Sequence, residues 1–239
     1  MKKNIRIALW IAVAVVGIRT AYIFHERHAA MNEAAAKPAP PLDPDYYVIP
    51  KKLHPYDLQS ARQLTQQPVW VKAGYAYTLY PYDSAEHRVD FAHEAGQLLP
   101  IEKLSVKDVI TAAAPKSTGR QVMAVIDRDG KIYAFSIGIV SDGNYQFYSD
   151  EMLYIQDPHL LYNHWPADAW DAIDKHQVKP GMSELQASFA LGLGIPEGSG
   201  PSADKTVDYA NGGHPLSVTY RSGKVAAIQP GQSPPGGNS

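Results

Sequence analysis

The densest group of residues with chemical potential lies in the segment DPHLLYNHWPADAW, residues 157–170. There His159 and His164 stand near Asp157 and Glu151, among Trp165 and Trp170. Imidazoles beside carboxylates are the raw material of a metal site or of acid–base catalysis. The spacing matches no paired zinc signature, however, and Leu160, Tyr162, Trp165 and Trp170 make the segment read first as an apolar joint between two folded regions. A ligand-sensing or weakly catalytic site at this His159–Trp170 joint is the alternative. A second group is the tyrosine run Tyr75, Tyr77, Tyr80 and Tyr82. Alternation at 75 and 77, and again at 80 and 82, offers aromatics to one face of a strand. Such a face suits either core packing or an interaction surface for protein or glycan.

Other motifs fail on inspection. His93-Glu94-Ala95-Gly96-Gln97 falls one residue short of the zinc-protease pattern, because Gln97 replaces the second histidine. GSGPSADKT, residues 198–206, has Ser199 and Asp204 where a phosphate loop needs glycine, and Asp204 repels phosphate. Asp127 and Asp129 lack the terminal glutamate of a calcium loop, and a turn accounts for them. No G-x-S-x-G elbow occurs. The expectation is a non-catalytic protein without catalytic residues, metal or cofactor.

These residues need a scaffold, and the chain divides into five stretches: 1–24, 25–45, 46–158, 159–229 and 230–239. Residues 5–24 contain an unbroken apolar run from Ile7 to Ile18. Twenty helical residues span about 30 Å, the hydrocarbon thickness of a bilayer. Lys2, Lys3 and Arg6 precede the run, so the positive-inside bias puts the N-terminus in the cytoplasm and the body outside it. Tyr22, Ile23 and Phe24 occupy the place of a small-residue cleavage site, which favours a retained single-pass inner-membrane anchor over a cleaved signal. Residues 25–45 pass from helix formers to the Pro-rich PAPPLDPD and read as stalk and spacer; residues 230–239 read as a disordered tail.

Region 46–158 is β-rich, with runs such as PVWVKA from Pro68, RQVMAVI from Arg120 and KIYAFSIGIV from Lys131. DRDG and SDGN between such runs predict an antiparallel meander over 120–149, and the whole region predicts a small barrel or a curled antiparallel sheet. SVKDVITAA, residues 105–113, has an N-cap at Ser105 and reads as a short helix, with a strand as the other option. Region 159–229 predicts two helices and a three-stranded sheet. The first helix follows Pro166 with Trp170 and Ile173 inward. The second is capped by Ser183, buries Leu185, Phe189 and Leu193, and ends at Gly192 or Gly194. KTVDYA, PLSVTY and KVAAIQ supply the strands. The fold class is therefore α+β.

Charge narrows the partners. Residues 1–28 hold five Lys/Arg against Glu26, which leaves 17 basic and 23 acidic residues elsewhere. A mildly acidic body lacks the basic stripe that phosphates require, so nucleic acid is not an expected partner. Cysteine is absent, which excludes disulfides, thiolate chemistry and a lipid-bearing cysteine.

VKPGMSELQASFALGLGIP (178–196) with TVDYANGGHPLSVTYRSGKVAAIQ (206–229) resembles the small outer-membrane lipoprotein family of the SmpA/OmlA type. The resemblance rests on Gly181-Met182-Ser183, Leu191-Gly192 with Pro196, Tyr209, and Gly223-Lys224-Val225. It implies two helices on a three-stranded sheet and a scaffolding role toward an envelope protein partner, as in the outer-membrane β-barrel assembly machinery. The opening VWVKAGYAYTLYPY of the β-rich region loosely resembles bacterial Src-homology-3-type barrels.

Overall fold

A computed structural model describes residues 16–28, 42–115, 119–198 and 203–231. The chain divides into two compact units, Met1–Tyr46 and Tyr47–Ser239. In the first, residues 16–28 form a solvent-exposed helix (α1), in which the Thr20 hydroxyl donates to the Val16 carbonyl at 2.8 Å. Among the described residues no helix is long and apolar enough to cross a membrane. Most of the expected span 5–24, the spacer up to residue 41 and the tail from 232 lie outside the described residues.

The second unit is α+β with antiparallel sheets. Its largest sheet has six strands. Strands β2 (Tyr80–Asp83), β3 (Arg88–Val89), β5 (Val106–Ala113), β6 (Arg120–Arg128) and β7 (Lys131–Ser141) run in the order β3-β2-β7-β6-β5, and β8 (Asn144–Phe147) also pairs with β7. The meander expected at 120–149 is present because its turns carry the required chemistry. Asp129 and Gly130 join β6 to β7, and Asp142 and Gly143 join β7 to β8, all four at positive φ. Paired positive-φ residues match the natural twist of a two-residue hairpin. The sheet is antiparallel as expected but open, which corrects the barrel alternative. Of the two options for 105–113 the helix is corrected and the strand is found: Val106–Ala113 form β5, paired with β6. The β-branched Val106, Val109, Ile110 and Thr111 fit a pleated surface, and partnership along β6 outweighs one capping signal.

A small sheet organises the rest. Strands β1 (Val69–Val71), β4 (Lys103–Leu104) and β9 (Leu153–Tyr154) pair in the order β4-β1-β9. Successive side chains of a strand point to opposite faces. Val69, Val71, Leu104 and Leu153 accordingly enter one core with Val122, Ala124, Ile126, Phe135 and Ile137 of the large sheet. Trp70 and Tyr154 enter another, formed with the C-terminal helices and strands. The three-stranded sheet is thus a wall shared by both cores.

Two short helices, α2 (Leu58–Ala61) and α3 (Ser149–Met152), flank the first core. The second is built by α4 (Pro158–Leu161), α5 (Ala167–Asp174), α6 (Glu184–Leu191) and a four-stranded sheet. That sheet runs in sequence order through β10 (Gly194–Pro196), β11 (Lys205–Tyr209), β12 (Leu216–Arg221) and β13 (Lys224–Pro230). The expected three-strand meander forms, with β10 added at its edge. Ser183 caps α6: its hydroxyl accepts from the Gln186 amide at 3.2 Å while the Gln186 side chain accepts from Ser183 N–H at 2.8 Å. Trp170, Ile173 and Phe189 face inward as expected. Leu193 does not: α6 ends at Gly192, and Leu193 beyond it is 63% exposed.

At the centre of the second core the hydroxyls of Tyr209 and Tyr220 bond to each other at 2.8 Å, both rings fully buried. Burial pushes the Tyr209 phenol up to about 12 from its ordinary 10.0, and burial raises Tyr220 as well. Both groups bind protons more tightly folded than unfolded, so their stabilising effect is complete below pH 10 and fades as pH climbs through 12. Alkaline titration followed by circular dichroism should show stability falling across that window. Tyr209→Phe should cost about 1–3 kcal/mol at neutral pH by stranding the Tyr220 hydroxyl, and Tyr209→Phe with Tyr220→Phe should recover part of it. Chemical denaturation of the two variants checks the order.

Candidate functional site

The structure puts the sequence's first candidates to structural use. Asp157 caps α4, accepting from His159 N–H at 2.9 Å. The same carboxylate lies 3.1 Å from His159 Nδ1, and Asp174 of α5 lies 3.2 Å from Nε2. Two acids on opposite edges of one ring make a clamp, because they do not converge with it on a common point where an ion could sit. A doubly protonated ring donates to both, a neutral tautomer to only one. The ring also stacks on Trp170 at 4.0 Å between centroids. Trp170 in turn donates its indole N–H to the Tyr162 carbonyl at 3.3 Å.

Behind this clamp the aromatics interlock. Tyr162 stacks on Trp165 at 4.5 Å, Trp165 meets Trp170 and Phe189 each at 5.1 Å, and Tyr154 of the wall reaches Phe189 at 5.9 Å. His164 is exposed on the far side, its ring 6.2 Å from those of Tyr162 and Trp165. The two histidines therefore have different surroundings: His159 stacks on Trp170 at the edge of the second core, while His164 is exposed. Among the described residues no group of three His, Cys, Asp or Glu could hold a metal ion. The near-zinc motif at residues 93–97 is loop, with His93 Nδ1 2.8 Å from Asp90.

The four tyrosines do not share one face. Tyr75, at φ 60°, lies against Gly192 and Gly212, where an added Cβ would strike its ring at 3.3 and 2.6 Å. Tyr77 packs on the first core. Tyr80 and Tyr82 lie on the opposite, outer side of the large sheet, with Phe91, Ile110 and Ile132 above Met123 and Val125. The break arises because the strand expected from Tyr75 begins only at Tyr80. Before that, residues 75–79 pair with 95–98 through Tyr75 N–H to Leu98 O at 2.7 Å and Leu79 N–H to Gly96 O at 2.9 Å.

The candidate site lies where that break leaves a gap. β7 pairs with β2 only at Tyr133 and Ala134, and with β8 only from Gly138 onward. Between them a bulge shifts the register of β7 against β6, so that Val122 pairs with Gly138 but Met123 with Ser136. Bulges redirect side chains, and this one sits beside a slot of about 510 Å³. Thr78 and Tyr80 form one wall and Tyr148 and Glu151 another, with Gln121 and Ser136 from the sheet between them. Tyr77 and Met152, which pack on the first core, close its base. Gly138 permits the close approach of β8, since a Cβ there would lie 2.6 Å from the Gln146 carbonyl oxygen.

The charges at the rim are committed. Lys52 pairs with Glu151 at 2.6 Å. Lys72 is half-buried, donates to the Asp150 carbonyl and stands 4.9 Å from the Tyr154 ring centroid. Burial lowers its pKa, partly offset by Glu151. Burial likewise raises the phenols of Tyr77 and Tyr148, so both remain neutral hydroxyls near pH 7. Gln121, Ser136 and Tyr148 belong to no sequence motif, and Glu151, grouped in the sequence with His159 and His164, lines this slot instead. The one local signal for the slot is Gly138 inside a strand, a position that often marks a bulge or close backbone approach.

Fold and site together define an α+β protein with antiparallel sheets, a clamped aromatic joint and a polar, tyrosine-walled slot. Comparison with known proteins finds no matching family model, no matching curated protein and no matching solved structure.

Removing the clamp should weaken the joint. His159→Ala is expected to cost about 1–2 kcal/mol, since half-exposed imidazole–carboxylate contacts contribute little and the stacking on Trp170 the rest. His164→Ala should change stability by less than about 0.5 kcal/mol. Urea midpoints of the two variants provide the check; equal losses would mean that the two histidines share a role.

Proposed function

We propose that this chain is a non-catalytic binding or scaffolding protein of the cell envelope, held to the inner membrane by residues 5–24, with its folded body outside the cytoplasm and a protein as its partner. The observation that carries the partner reading is the outer side of the six-stranded sheet. Tyr80, Tyr82, Phe91, Ile110 and Ile132 lie there half-buried over Met123 and Val125, and among the described residues no helix contributes to the cluster. An apolar, aromatic area on a rigid sheet is what protein interfaces use as a core. The resemblance of residues 178–196 and 206–229 to the SmpA/OmlA type supports the same reading, because that family scaffolds other proteins. The engagement of His159 by Asp157, Asp174 and the Trp170 ring supports a non-catalytic role. The anchor rests on the apolar run and its basic flank.

Two measurements test this. A photo-crosslinking residue placed at Ile110 or Ile132 in intact cells should give a discrete protein adduct, whereas one placed at exposed Ala167 should not; equal yields at all three positions would remove the outer face as the interface. The absence of cysteine makes any introduced thiol unique. Ala167→Cys should react with a membrane-impermeant maleimide in whole cells, and labelling only after lysis would put the body in the cytoplasm.

A further inference from the structure

The slot between β2 and β8 has polar groups in its lining that the protein-partner reading does not use. Its walls combine the rings of Tyr80 and Tyr148 with the neutral hydrogen-bonding groups of Thr78, Gln121 and Ser136. At about 510 Å³ it falls within the usual range of small-ligand pockets. The chemistry of the lining excludes most ligand classes in turn. An anion would meet the Glu151 carboxylate, and the nearby cations are engaged, Lys52 by Glu151 and Lys72 by the Asp150 carbonyl. A cation would have to displace Lys52 from Glu151 at 2.6 Å. A purely apolar group would strand the carboxamide and hydroxyls, and each buried polar group left without a partner weakens binding about tenfold.

Neutral polar ligands remain, and the backbone discriminates among them. A peptide added as a strand needs a run of free ladder groups. The gap in β7 comprises only Phe135 to Ile137, and the Ile137 carbonyl already accepts from Tyr148 N–H at 2.9 Å. A sugar ring asks for something else: a flat C–H face to lie on an aromatic ring and a rim of hydroxyls that both donate and accept. Phenol, alcohol and carboxamide side chains supply both roles from fixed elements, Gln121 and Ser136 being held on neighbouring strands on either side of the bulge.

We infer that the slot between β2 and β8 is a binding site for a short, uncharged oligosaccharide, with one sugar ring against the tyrosine walls and its hydroxyls bonded by Gln121, Ser136 and Thr78. The slot adjoins the outer sheet face at Tyr80 but includes neither Ile110 nor Ile132, so crosslinking there and sugar binding here can fail independently.

The test uses the full chain in a detergent without a sugar headgroup, titrated with cellotetraose, with tetra-N-acetylchitotetraose, and with an uncharged phenylalanine-containing pentapeptide. Calorimetry and saturation-transfer NMR provide the readout. One or both sugars should bind saturably with a dissociation constant of ~1 mM or tighter. Gln121→Ala and Ser136→Val should each weaken that binding about tenfold. Tyr56→Ala, at an exposed position that does not line the slot, should leave it unchanged. Thermal melts confirm that the variants are folded. Absence of saturable binding by either sugar up to about 50-fold above that constant overturns the inference, as does binding that survives both slot substitutions. Binding of the pentapeptide alone overturns it too, and assigns the slot to a peptide.

Discussion

Three residues of β1, Val69, Trp70 and Val71, divide their side chains between two hydrophobic cores. Because a strand alternates faces, a wall only three strands wide serves as floor for one core and ceiling for the other. Leu153 and Tyr154 repeat the division on β9. A side chain as large as Trp70, 9% exposed, is worth about 3–5 kcal/mol when truncated, and its loss would open the second core from beneath. The aromatic joint, the slot and the placement of Tyr75 all follow from elements attached to this wall.

The wall is secured by a strained loop. Ile101 has a φ of 57°, unfavourable for a β-branched residue by roughly 1–3 kcal/mol. Its N–H donates to the Val71 carbonyl at 2.9 Å, and Val71 N–H donates to the Glu102 carbonyl at 3.0 Å. The Glu102 carboxylate accepts from Leu99 N–H at 2.8 Å and forms a two-pronged pair with Arg128 at the end of β6. Burial of Ile101 in the second core together with these bonds offsets the strain. The hairpin of the large sheet thereby holds the loop that plugs the other core.

What the sequence made legible was local. Turn pairs such as Asp129-Gly130, the Ser183 cap and the three C-terminal strands are specified by neighbours in the chain, and the structure has them. The readings that failed depended on distant partners. Residues 106–113 became a strand because β6 offered an edge, and Tyr75 left the expected strand to meet Gly192 and Gly212, more than a hundred residues later. The burial of Trp165 and Trp170 was legible because bulky aromatics crowd one segment. The slot was not, since its walls come from four stretches of chain with no shared pattern.

The Glu102–Arg128 pair has a mechanical meaning for the protein as a whole. It fastens the large sheet to a loop whose tip is an integral part of the neighbouring core, so neither core can loosen without pulling on the other. Cutting out residues 159–229 would open the second core, because Trp70, Ile101 and Tyr154 would leave with the other piece. The two cores joined in this way should consequently melt in one step.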